Sequence, residues 1–419
     1  MAGRLLPVKK KTAVVAPFTP EAILKRKIRG HLRKLGFKKA ADGALQPPSS
    51  SKEGVRSLHA EQRRTLLRAE RSFVQRAYPR LKSYFAEGHE VDPARVSPGL
   101  ELVTQGTWQS ELFRLASLSW SVPVSGGFGR RLRYLVWDRS NSKLIGIIAL
   151  GDPVFNLKAR DELIGWTVTD RAKRLVNVLD AYVLGAVPPY NFILGGKLVA
   201  CLVRSREIKN DFAQRYGKTR GIISKKKKGA QLAIVTTTSS LGRSSLYNRL
   251  KLSGERYFRS IGYTQGWGHF HIPDTLFVEL REYLRERKHS YVDAHRFGQG
   301  PNWRFRTIRA AFDALGFKAD LLKHGVGREV FVCEIARNAP AILRGENTQA
   351  NYRGLRTVAE IGVMARERWL VPRAERRPGY KDWKHDDLYE LVCTQRTRAA
   401  QVPNQSVPFD TARGEQAGG

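Results

Sequence analysis

Four consecutive lysines, Lys225, Lys226, Lys227 and Lys228, stand in the run RYGKTRGIISKKKKGAQ with glycine on either side. Flexible ammonium groups at that density can follow a chain of phosphates, which makes this the strongest local anion-binding candidate; the alternative is a merely solvated loop. Two further basic sets lie on helical patterns. In GPNWRFRTIRAAFDALGF, Phe305, Ile308, Phe312 and Leu315 make the inward stripe, and Arg306 and Arg309 share another face near Arg304. In PEAILKRKIRGHLRKLGF the stripe is Leu24, Ile28, Leu32 and Leu35, and Gly36 ends the helix. Lys25, Arg26, Arg29 and Arg33 occupy its other faces, which suits either contact with a nucleic-acid backbone or a docking helix with a solvated side.

Other residues could form a pocket. KARDELIGW places Arg160 beside Asp161 and ends in Trp166, so the pair is either a buried strut or the lining of a functional cleft. His269 and His271 in GWGHFHIP would share one strand face with Trp267. A metal site needs three or four ligands, and no third lies at suitable spacing, so a pocket wall or packed face is expected and no metal. Gly195 and Gly196 in LGGKLVA suggest a strand–glycine–helix junction, where a helix N-terminus favours an anion. The segment lacks the six-residue glycine fingerprint and the P-loop Lys-Ser/Thr. TTTSSLGRSSLYNRL adds the hydroxyls of Ser239 and Ser240, with Arg243 and Tyr247, at the next junction. Spacing yields no Ser-His-Asp arrangement. The scattered acids give no carboxylate set for two-metal nuclease chemistry.

The charge balance narrows the partner. The 419 residues include 74 Lys and Arg against 38 Asp and Glu, a net charge of +36. Solubility needs far less, so a polyanionic partner, nucleic acid, is the natural reading. Cys201, Cys333 and Cys393 lie far apart, which argues against a disulfide framework and fits a reducing cytoplasm. MAGRLLPVKKKTAVVAPF does not read as a signal peptide. No apolar run approaches the roughly 18–20 residues of a membrane span.

Along the chain, residues 57–86 read as a helical stretch that Pro79 must kink or break. Residues 131–153 read as two strands joined by a polar turn. Residues 171–187 read as a helix, 190–196 as a short strand, and 197–217 as the helix after it. A strand at 231–240, a helix starting at SSLYNRL, and a hairpin over 257–273 follow. Asp274 would cap a helix over 274–287, and 328–335 would be a strand. The alternation implies an α/β (α+β) fold with a mixed sheet and flanking helices. Its expected parts are a basic arm and helical region at 1–98, an α/β core at 99–290, a basic helix–strand extension at 291–345, and a C-terminal segment with a disordered tail at 346–419.

The order strand pair, helix, YNFILGG with its helix, AIVTTTSS, SSLYNRL and YFRSIGY resembles the GNAT acyltransferase layout. That resemblance implies a GNAT-like core, an acyl-CoA pyrophosphate near Gly195 and Gly196, and Tyr247 as the acid for the leaving thiolate. An acyl-CoA-like cofactor follows only if this layout holds. A second resemblance covers roughly residues 20–385. GIIALGDPVFNLKARDELIGW, TTTSSLGRSSLYNRL, GPNWRFRTIRAAFDALGF, LLKHGVGREVFV and RWLVPRAERRPGY look like the DruA family, named for a component of the Druantia anti-phage defence system. It implies a defence or mobile-element context, with other defence proteins as partners. Two functions are therefore expected: DNA binding in anti-phage defence or on mobile DNA, or GNAT-like acyl transfer to nucleotides or DNA bases, with Tyr247, Asp161 and Arg160 as candidate catalytic groups. A metal-dependent nuclease or transposase-like activity and a non-catalytic scaffold for defence proteins are the remaining readings.

Overall fold

A computed structural model describes residues 19–39, 45–127, 129–218, 229–293, 303–317 and 319–393. The lysine run expected to bind nucleic acid, Lys225, Lys226, Lys227 and Lys228, lies outside the described residues, as do the first eighteen residues and the terminal stretch from 394.

The N-terminal helix, Pro20–Lys34 (α1), starts at Thr19, whose hydroxyl accepts from the Ala22 N–H. It buries Leu24, Ile28 and Leu32. The expected 57–86 stretch is instead divided among Lys52–Leu58 (α2), Ala60–Ala69 (α3) and Arg71–Leu81 (α4). The breaks fall at His59 and Glu70, not at Pro79, which lies inside α4. In the last turn its missing N–H forfeits only the bond to Gln75, and the chain passes into a tight turn at Lys82–Tyr84.

Pro98–Leu102 (β1) and Trp108–Ser117 (α5) precede the central hairpin of Arg131–Asp138 (β2) and Lys143–Gly151 (β3). β3 is buried from Leu144 to Gly151 because both faces of the sheet are covered. Ile148 and Leu150 join one apolar cluster, while Ile147 and Ala149 join the other. A continuous apolar run is what a strand covered on both faces requires.

Lys158–Ile164 (α6) and Val168–Arg174 (α7) follow, and then Val178–Ala186 forms a strand, β4. The expected helix over 171–187 is thus corrected: only its first residues are helical. VLDAYVLGA alternates in burial and lies between β3 and Ile234–Thr238 (β5), so sheet pairing overrides a short apolar pattern that periodicity leaves ambiguous. YNFILGG is a turn, not a strand, and leads into Gly195–Leu202 (α8). The single helix expected over 197–217 is two, because Ser205 caps a new start at Arg206–Tyr216 (α9). These helices form the crossover that a parallel β4–β5 pair demands.

SSLYNRL supplies only a short turn at Tyr247–Arg249. The expected 257–273 hairpin reduces to one strand, Arg259–Tyr263 (β6), whose partner is the distant Glu329–Glu334 (β7). Between them lie Asp274–Glu286 (α10) and Trp303–Ala314 (α11). Asp274 is the first residue of α10, after Pro273 in the cap position, and makes an ion pair with Arg304. The strand order is β6-β7-β5-β4-β3-β2-β1, and β4–β5 is its parallel neighbour pair among the described residues. The fold is mixed α/β.

Ala339–Arg344 (α12), Val358–Ala365 (α13), Val371–Arg376 (α14) and His385–Cys393 (α15) follow. Ile361, Ala365 and Leu370 join the cluster that covers one sheet face with Leu198 and Phe212, and Leu388 and Val392 join the other. α1 packs with α10 and α11 in a third cluster. Among the described residues no helix is long and apolar enough to cross a membrane.

Candidate nucleic-acid interface

The Arg160–Asp161 pair is buried beside an open cleft. Gly165, at φ 81°, ends α6 in the left-handed conformation that glycine adopts without strain, and this turns Trp166 inward. The Trp166 indole N–H donates to the Leu343 carbonyl at 2.6 Å, and the Arg160 guanidinium lies 5.4 Å from the ring centre. Arg160 donates Nε and Nη2 to Asp161 Oδ1 at 2.9 and 2.7 Å, and its other donors reach the carbonyls of Val154 and Phe155. Asp161 Oδ2 accepts from Arg171 at 2.8 Å and from the Leu157 N–H at 3.3 Å. Two acceptor positions on each oxygen are thereby taken. Asp161, Trp166, Arg171, Asn156, Lys158 and Glu162 line a cleft of about 490 Å³.

A second polar centre lies where β4 and β5 part. Their ladder runs from Val178↔Ile234 to Asp180↔Thr236. Beyond it side chains bridge the gap: Thr236 Oγ1 donates to Asp180 Oδ1 at 2.7 Å, and Thr237 Oγ1 to the Ala181 carbonyl at 2.8 Å. Burial pushes Asp180 up to about 6, against the Thr236 hydrogen bond and the Arg160 charge. A carboxyl in that range can exchange a proton near neutrality. Burial also raises Tyr247 to about 12, and its ring packs 5.2 Å from Phe258 and 5.1 Å from Phe331. Asp180 feels the charge of Arg160 and itself acts on Tyr247, so it links two centres that are separate in the sequence. A helical reading of 171–187 does not reveal it; a lone acid inside an apolar run is the available signal.

Gly195 and Gly196 start α8, where Gly196 approaches Ala186 at the other end of β4. A Cβ on Gly195 would come within 2.7 Å of the Tyr190 carbonyl oxygen, and one on Gly196 within 3.3 Å of Leu246. Ser239 is buried and its N–H donates to the Glu329 carbonyl, whereas Ser240 is exposed.

A basic cleft of about 360 Å³ opens on the same turn, lined by Lys52, Arg243, Ser244, Ser245, Asn248 and Arg249. Glu329 fixes its wall, accepting from the Ser244 N–H at 2.9 Å and from the Asn248 amide at 3.0 Å. Burial works to raise the Glu329 pKa, but these bonds, Ser260 and the Arg243 charge hold it below the usual range. Lys52 Nζ donates to Ser245 Oγ at 2.9 Å. Among the described residues Arg243 and Arg249 have no ion-pair partner. Lys197 stands close by on α8, 5.2 Å from the Trp369 ring, with its pKa lowered by burial and by the charges of Arg249, Arg368 and Arg373. Among the described residues Lys52, Arg243, Arg249 and Lys197 outnumber the single carboxylate at the wall, Glu329, and such an excess of cations forms a place for an external anion. Sequence spacing does not show this cleft, since Lys52 and Arg249 are far apart in the chain.

The other basic residues divide by environment. Of the expected nucleic-acid contacts, Lys225, Lys226, Lys227 and Lys228 are outside the described residues, so this cleft and the helices carry the described part of the basic surface. Arg304 is engaged with Asp274 at 2.6 Å, the Ile272 carbonyl at 2.8 Å and the Phe277 ring at 4.3 Å. Arg306 and Arg309 are exposed on α11. On α1, Arg29 lies 5.5 Å from the Phe317 ring, and Lys25 acts on Glu21, which accepts from Tyr283 of α10 and from Arg287 just past its end. His269 and His271 lie in an irregular segment rather than on the shared strand face expected for them. Burial lowers both to about 4, and the His271 ring reaches the Leu321 carbonyl at 2.8 Å. Among the described residues no group of three or more His, Cys, Asp or Glu is placed to hold a metal.

Residues 49–345 match the family model described as Druantia protein DruA. The chain is similar to the curated Druantia protein DruA of Escherichia coli (strain UMEA 4076-1), 57% identical over 372 residues, which cover 89% of this chain and 92% of that one. No solved structure matches. The match spans the sheet, the crossover helices and both clefts, and the chain belongs to the DruA family.

Proposed function

We propose that this chain binds DNA and acts in anti-phage defence or on mobile DNA, in the cytoplasm and alongside other defence proteins. The observation that carries the binding is the cleft of Lys52, Arg243 and Arg249, whose two arginines lack ion-pair partners among the described residues. Ser245 and Asn248 add neutral donors suited to phosphate oxygens. The lysine run Lys225, Lys226, Lys227 and Lys228, with Arg306, Arg309, Lys25 and Arg29, would extend the contact along a backbone. The family description supports the defence setting. A binding titration against salt tests this. Affinity should fall steeply with salt, because each neutralised phosphate releases counterions; an affinity indifferent to salt overturns the proposal.

A second reading is favoured by the parting of β4 and β5 beyond Asp180 and by the start of α8, which packs against Leu246 beside Tyr247. An acyl-CoA-like molecule held near Gly195 and Gly196 would place its reacting end toward Asp180 and Tyr247, and the chain would then be an acyltransferase acting on nucleotides or DNA bases. Native mass spectrometry of the purified chain and analysis of DNA incubated with it decide this. No bound cofactor together with unmodified DNA overturns it.

A further inference from the structure

Segment 263–268 presents two aromatic rings to water from a backbone held in place on both sides. The Thr264 N–H donates to the Arg328 carbonyl at 2.9 Å, the Arg328 N–H returns to Thr264 Oγ1 at 3.1 Å, and the Gly268 N–H donates to the Leu322 carbonyl at 3.0 Å. Trp267 pairs with Lys323 in a single antiparallel bridge. The buried His324 ring accepts the Val326 N–H on Nδ1 at 3.1 Å and also hydrogen-bonds the Trp267 backbone. Gly266 adopts φ 70°, and a Cβ there would lie 3.0 Å from Gly325, so the two strands of chain approach as closely as backbone allows. Despite this anchoring, Trp267 is 43% exposed and Tyr263, at the end of the edge strand β6, is 51% exposed. Aromatic rings of this size are normally drawn into cores.

Positive charge predominates around them, and the carboxylate beside Tyr263, its cross-strand partner Glu329, is taken up by Ser244 and Asn248. The Arg309 guanidinium lies 5.8 Å from the Trp267 ring centre and 5.0 Å from that of Phe305. Lys323 stands opposite Trp267 in the bridge. Gly327 would place a Cβ 3.9 Å from the Tyr263 ring, and Gly242 would place one 3.7 Å from the Gly327 carbonyl, which sets Arg243 and its cleft next to Tyr263. Flat rings call for flat partners, and unpaired cations call for a polyanion. A duplex conceals its base faces in the stack, whereas a single strand offers a base face and a phosphate at every nucleotide.

Resting on the DNA-binding reading above, we propose that Trp267 and Tyr263 form a stacking platform for unpaired bases, with Arg309, Lys323 and Arg243 on the phosphates, so that single-stranded DNA is the preferred form of the target. The test uses the full chain, a labelled single-stranded DNA oligonucleotide of mixed sequence and the matching duplex, with affinity measured across a salt series. The single strand should bind more tightly than the duplex. Trp267→Ala and Tyr263→Ala should each weaken single-strand binding by roughly 5- to 150-fold while leaving the salt slope unchanged. Trp267→Phe, which keeps a ring, should recover much of the loss. Unchanged single-strand affinity in both alanine variants, or a duplex bound as tightly as the single strand, overturns the platform while DNA binding itself stands. Absence of salt-dependent binding to either form overturns the underlying reading and the platform with it.

Discussion

Asp161 receives two hydrogen bonds on one oxygen from its own sequence neighbour, Arg160, at 2.9 and 2.7 Å, inside the protein. The α6 turn brings these adjacent side chains together, and Arg171 neutralises the second oxygen from α7. Arg160 is fully buried. Asp161→Ala would strip its guanidinium of the carboxylate it hydrogen-bonds, leaving only the charge of Asp180 nearby, and removing one partner of a buried pair costs about 3–5 kcal/mol. Urea denaturation of the variant should show that loss. An unfolding midpoint equal to wild type would mean the pair is not a strut.

The histidines of the α1–α10–α11 region make the fold acid-sensitive. Burial lowers His59, His269 and His271 to about 4 and His324 to about 3. The unfolded chain takes up these protons near pH 6.5, before the folded chain does. Their contribution to stability is therefore complete above pH 6.5 and is lost as the pH falls through 6.5 toward 4. Urea midpoints measured from pH 7.5 to 4.5 should fall along that course. His59→Gln should flatten the profile, because it removes one of the groups that resists protonation.

Asp180 has the opposite sign. Its folded pKa of about 6 lies above the ordinary value of 3.8, so it contributes stability below pH 3.8 and loses it as pH rises toward 6. Asp180→Asn keeps an acceptor for the Thr236 hydroxyl without the charge. The variant should be more stable than wild type at pH 7.5 and indistinguishable from it near pH 3.5, as read from thermal melts at the two pH values.

Arginines in different surroundings should respond differently. Arg243→Ala and Arg249→Ala, from the open cleft, should each reduce the salt slope of DNA binding by about 1 while leaving the melting temperature unchanged. Arg304→Ala should do the reverse, lowering the melting temperature through loss of the Asp274 pair and leaving the slope alone. Parallel titrations and melts on the three variants give both readouts.

The helices beyond residue 345 belong to the core. Ile361 is fully buried among residues of the sheet face. Ile361→Ala should destabilise the chain by about 2–5 kcal/mol, the usual range for such a cavity. Chemical denaturation checks it; a loss under about 1 kcal/mol would show this segment to be peripheral.

Local pattern alone settles some of this protein. LIGIIALG can only be a doubly covered strand or a buried helix, and the polar turn before it selects the hairpin with β2. Leu24, Ile28 and Leu32 recur at helical spacing, and α1 buries those residues. The excess of positive charge and the family motifs are likewise sequence properties. The tertiary structure decided the rest, for a physical reason: short apolar runs satisfy more than one local pattern, and contacts between distant segments choose among them. VLDAYVLGA became a strand because β3 and β5 supply its hydrogen bonds, and this put Asp180 beside Thr236. Only folding brought Lys52 to Ser245 and Trp267 to Lys323, since the free energy of such contacts comes from burial and pairing that no local spacing records.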